Sequence, residues 1–139
     1  MTKFLTGLMK QTDHTSAVES FIIACSDETT ALTTGTAKVS FRMPYDFILK
    51  AGEAGVRASC NQAPTGAVLT VDINDSGTTI MTSTKLTIAI SSTTSVGGTP
   101  PVLTDVNLAS NALITVDIDQ IGSSNAGTGL KIILIGQKA

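Results

Sequence analysis

The segment TVDIN at residues 70–74 recurs as TVDID at residues 115–119. In the first copy Leu69, Val71 and Ile73 share one parity and Thr70, Asp72 and Asn74 the other. In the second, Ile114, Val116 and Ile118 alternate with Thr115, Asp117 and Asp119. Successive side chains on a strand point to opposite faces. Each copy therefore reads as a β-strand with a buried β-branched stripe and an outward polar row. Each is followed by a turn glycine, Gly77 or Gly122, and Asn74-Asp75-Ser76-Gly77 is strong turn chemistry. The echo reads as one strand-and-turn solution used twice, at two edges of one sandwich.

The same period continues along the chain. Residues 17–25 (AVESFIIAC) alternate and then run apolar. Residues 38–43 place Val39, Phe41 and Met43 on one face, and Pro44 breaks the run before residues 45–49 resume it. Residues 56–62 point Val56, Ala58 and Cys60 inward and Arg57, Ser59 and Asn61 outward. Further strands are expected over 67–74, 78–81, 85–90, 112–119 and 130–135. The last is apolar on both faces except for Lys131. It should be central and covered on both sides, or lie at a subunit interface. Residues 50–55 read as a turn or bulge, 91–101 as a long crossing loop, and 102–111 as a helical turn or an irregular strand. Many short β-branched strands with Gly and Pro turns predict an all-β sandwich or barrel over residues 17–139. Residues 1–16 form a separate N-terminal arm. Its Phe4, Leu5, Leu8 and Met9 would share one side of a short helix, packed on its own domain or reaching a neighbouring subunit.

Several chemistries are disfavoured. The net charge is −2 and 14% of residues are charged, so a phosphate backbone finds no basic surface. One Tyr and no Trp leave little for base stacking. No segment reaches the length of a membrane span, and the N-terminus does not read as a secretion signal. Cys25 and Cys60 are too few for a disulfide framework or a zinc cluster and read as buried small hydrophobes, with one disulfide left open. His14, the single histidine, sits in a polar segment with no evident nucleophile partner. No nucleophile elbow or phosphate loop occurs, and the chain is expected not to be an enzyme and to need no cofactor. Asp72, Asn74, Asp117 and Asp119 would share a face across neighbouring strands. They lack the looped spacing of a calcium site and read as solvated strand acids rather than a metal site. Low charge with a mean hydropathy of +0.28 points to a surface covered by neighbours in a homo-oligomer or larger assembly.

Residues 41–66 (FRMPYDFILKAGEAGVRASCNQAPTG) and 71–88 (VDINDSGTTIMTSTKLTI) resemble a recurring bacteriophage virion module, common in phages of aquatic bacteria including cyanophages. Residues 113–136 (LITVDIDQIGSSNAGTGLKIILIG) resemble its closing element. KAGEAG at 50–55 is longer than the usual join, and the 91–101 loop is individual to this chain. The resemblance implies a jelly-roll-like β-sandwich in a phage structural protein, with no associated active residue. The module often ends longer tail or fibre proteins. Only residues 1–16 precede the first strand here, which favours a capsid decoration, or cement, protein over a fibre tip. The expected partners are further copies of the chain, with a trimer favoured, and the major capsid protein, on the outer head of a particle made in the host cytoplasm. Phe4, Leu5, Leu8 and Met9, with Arg42 and Tyr45 as polar and aromatic anchors, are the expected assembly contacts. A tail adhesin for host glycan, with Tyr45 beside Asp46, and a carbohydrate-binding module are the alternatives.

Overall fold

The structure is a computed structural model and describes residues 17–139. It has ten strands: β1 (Val18–Ala24), β2 (Gly35–Arg42), β3 (Phe47–Leu49), β4 (Val56–Ser59), β5 (Leu69–Asp75), β6 (Thr78–Thr79), β7 (Leu86–Ile88), β8 (Asn107–Leu108), β9 (Leu113–Gln120) and β10 (Lys131–Lys138). The strands form two antiparallel sheets. In the first, β10 is central. β1 lies on one side, and β3 and β4 follow one another along the other, with β8 beyond β3. In the second the order is β2-β9-β5-β6, with β7 also on β5.

If β3 with β4 and β6 with β7 are each taken as one strand position, eight positions result. They run first-eighth-third-sixth in one sheet and second-seventh-fourth-fifth in the other. That order is a jelly roll, in which successive positions switch between facing sheets except at the hairpin from fourth to fifth. The expected β-sandwich is therefore the observed architecture.

The core lies between the sheets and is built from the predicted parities. Leu69, Val71 and Ile73 of β5 and Ile114, Val116 and Ile118 of β9 meet Val56, Ala58, Phe47, Leu49, Ile132 and Leu134 from the other sheet. Residues 50–55 contain one turn of 3-10 helix, Gly52–Ala54. Residues 102–111 are largely irregular and hold only the two-residue β8. The β5–β6 connection is a two-residue hairpin with Ser76 at φ +51° and Gly77 at φ +88°. Both signs are positive, as a type I′ turn requires, and that twist matches the flanking strands.

The TVDIN and TVDID strands are not two edges of the sandwich. They are β5 and β9, hydrogen-bonded neighbours in the middle of the second sheet. Nor do their glycines act alike. Gly77 supplies a left-handed turn residue in open space, whereas a Cβ on Gly122 would sit 1.8 Å from the Asn125 carbonyl oxygen.

Candidate functional site

The outer face of the second sheet gathers the acids. Asp72 and Asp117 are direct partners in the β5–β9 register, and Asp119 is the extra residue of a bulge between the pairs Thr70–Gln120 and Val71–Ile118. Like charges directly opposite repel, and neighbours offset this. Lys85 Nζ lies 2.8 Å from Asp72 Oδ2, and the Thr79 hydroxyl donates to Asp72 Oδ1. Asp117 Oδ1 accepts the Ala37 N–H at 2.7 Å, and its Oδ2 accepts from Asn74 Nδ2 at 3.0 Å. Ala37 sits in a wide bulge of β2, where residues 36–38 oppose Asp117 alone. Asp72 is only 8% exposed, so the reading of solvated strand acids fails at that residue. Its charge is held in an ion pair that ties the start of β7 to β5. Partial burial of the Asp119 carboxyl, helped by the charges of Asp72 and Asp117, pushes its pKa up. Among the described residues, no three His, Cys, Asp or Glu side chains come together as a metal-holding group.

Tyr45 and Arg42 lie on either side of the Pro44 corner but do not form one site. Tyr45 packs at 6.0 Å from Phe21 and 6.5 Å from Phe47, ring centre to ring centre. Its hydroxyl donates to the Glu19 carboxylate, which pushes the phenol pKa up, and Lys138 Nζ stands 5.1 Å from its ring. Tyr45 is thus committed to an internal corner that fastens β1 to β3. Arg42 is exposed, and its Nη1 donates to the Asn111 carbonyl oxygen at 3.0 Å, closing the start of β9. Phe4, Leu5, Leu8, Met9 and His14 lie outside the described residues.

The feature that sequence reading left unassigned is the outer face of the first sheet. Val18 is 58% exposed, Ile22 70% and Ile48 36%. Ile133 and Ile135 of β10, half-buried, lie between them, since Ile22 pairs with Ile133 and Ser20 with Ile135. Arg57 and Lys131 border this apolar strip on the same face. The clue was present in FIIA of β1 and in KIILI of β10, where both parities are apolar. The first sheet covers one parity with the core and leaves the other on the surface.

A cleft of about 220 Å³ opens at one end of the sandwich beside Cys25, Asp27, Leu32, Lys38 and Ile118. Its polar groups are engaged: Asp27 Oδ1 accepts the N–H groups of Thr29 and Thr30, and Lys38 Nζ donates to Thr33 Oγ1. Cys25 and Cys60 are both buried free thiols, as the reading of small hydrophobes expected. Among the described residues, no helix is long and apolar enough to cross a membrane. In comparison with known proteins, the chain matches no family, no curated protein and no solved structure.

Proposed function

We propose that this chain is a non-enzymatic structural protein of a bacteriophage virion: a capsid decoration protein that binds the outer head as a homo-oligomer and bridges shell subunits. The observation that carries the reading is the apolar outer face of the first sheet, with Ile22 70% exposed beside Ile133 and Ile135. An apolar strip of this kind on a jelly roll favours a covering neighbour over water. The resemblance of residues 41–66, 71–88 and 113–136 to a virion module supplies the viral setting. A protein that binds only the assembled shell stabilises it by mass action. The adhesin reading relies on Tyr45 as an exposed platform, and the packing of its ring against Phe21 and Phe47 weighs against it.

Immunogold labelling of intact particles, with an antibody raised against this chain, tests the reading. Gold spread over the head is the expected result. Gold confined to the tail end would replace decoration with adhesion, and unlabelled particles would remove the virion assignment.

A further inference from the structure

We infer that the outer edge of β1, which no described residue pairs, is a self-association surface, where a second copy of this chain adds its own β1 antiparallel about a two-fold axis. The inference deepens the reading of the first sheet as a contact surface, but does not depend on a virion.

Every other long edge is blunted. β2 carries the wide bulge at residues 36–38 together with Lys38 and Arg42. β4 is capped by the 93–95 loop: Ser95 N–H donates to the Ala58 carbonyl oxygen and Cys60 N–H to that of Thr93. β6, β7 and β8 are two or three residues long. Short edges, bulges and edge cations are the usual protections against sheet-to-sheet pairing. Among the described residues, β1 has none of them on the side away from β10. It runs seven residues without bulge, proline or lysine.

The backbone geometry says which groups are available. Cys25 N–H donates to the Leu130 carbonyl oxygen at 2.8 Å, so odd-numbered residues of β1 turn their backbone groups toward β10. The backbone groups of Val18, Ser20, Ile22 and Ala24 then point away from the sheet, and no partner takes them up among the described residues. Pairing two β1 strands about Phe21 sets Ser20 opposite Ile22 and Val18 opposite Ala24. That register places all four residues of each copy in hydrogen-bonded pairs, about eight ladder bonds in total. A shift by two residues loses a pair.

Charge also fits a second copy. None of the four outward side chains is charged, so no like charges meet across the axis. Glu19, the one acid of β1, lies on the inner parity, engaged by Tyr45, and would face Ile23 rather than its own copy. The joined sheet would set the two Ile22 side chains diagonally near each other and merge the Ile133 and Ile135 strips of both copies into one continuous apolar outer face.

Sedimentation velocity of the purified chain over a dilution series tests this. A reversible dimer is expected for the natural sequence. Ile22→Lys places a cation on the edge at an exposed site, and Ser20→Pro removes one outward N–H without touching the β10 ladder. Each should weaken the dimer at least about tenfold while circular dichroism stays unchanged. A monomer, a trimer, or a dimer that neither substitution weakens overturns the inference. The pair differs from the trimer expected from sequence, so sedimentation separates the two. Head labelling is a separate readout, so failure here leaves the decoration reading standing.

Discussion

Asp72 and Asp117 stand directly opposite each other on neighbouring central strands, and only one of them has a cation. Lys85 reaches Asp72 at 2.8 Å, while Asp117 is held by the Ala37 N–H and by Asn74. The arrangement makes Lys85 more important than a surface lysine usually is. Lys85→Met leaves a buried carboxylate facing another, and should cost about 2–3 kcal/mol in urea unfolding. Asp72→Asn keeps a polar partner for Thr79 and removes the repulsion, so it should cost under about 1 kcal/mol. In the double variant the two losses should not add, because Asp72→Asn removes the carboxylate that Lys85→Met would leave unpaired.

Asp119 gives a pH dependence of known sign. Its folded pKa is raised by partial burial and by Asp72 and Asp117. The folded state therefore holds this proton more tightly than the unfolded chain, and Asp119 favours the fold less as pH rises through that window. Asp119→Asn should raise Tm at neutral pH and lose its advantage once the pH falls below the ordinary aspartate value of 3.8. Asp27 and Glu28 act the other way, since hydrogen bonds from Thr30 and from Lys131 lower them, and their contribution is lost in acid. Thermal melts of the wild type and Asp119→Asn across pH 3–8, a range of about five units set by carboxylate titration, check the sign.

Two glycines should lose unequal amounts of stability to a methyl group. Gly77 has open space around its missing Cβ and a φ of +88°, so Gly77→Ala meets backbone strain alone and should cost about 1 kcal/mol. A Cβ on Gly136 would lie 2.0 Å from the Ile48 carbonyl oxygen, where β10 and β3 approach. Gly136→Ala must push β3 away and should cost about 3 kcal/mol or more. Denaturant midpoints of the two variants give the comparison.

The thiols should be silent in the fold. Burial pushes Cys25 up to about 11, and Cys60 also upward. The reactive thiolate is scarce at neutral pH, so a thiol reagent should label neither in native buffer and both in denaturant.

Period-two alternation made the strands legible. Val56, Ala58 and Cys60, and both repeated stripes, face the core as their parity requires. Pairing was not legible, because alternation fixes a face but not a neighbour. TVDIN and TVDID therefore read as separate edges, and their adjacency, with the burial of Asp72, appears only in three dimensions. In the sequence Tyr45 stands out by residue type alone. Its actual role depends on Glu19 and Phe21, which no local spacing links to it. The exposed strip was half visible: β10 was apolar on both parities, but sequence alone offered a covering layer and an interface equally.

Direct binding to the shell tests the central claim. Purified chain would be added to heads that lack it, and cosedimentation and heat-induced release of the contents measured. The account predicts saturable binding and a higher disruption temperature, both lost in Ile22→Lys with Ile133→Lys. Heads that bind none of the chain, or that bind the double variant equally well, would contradict it.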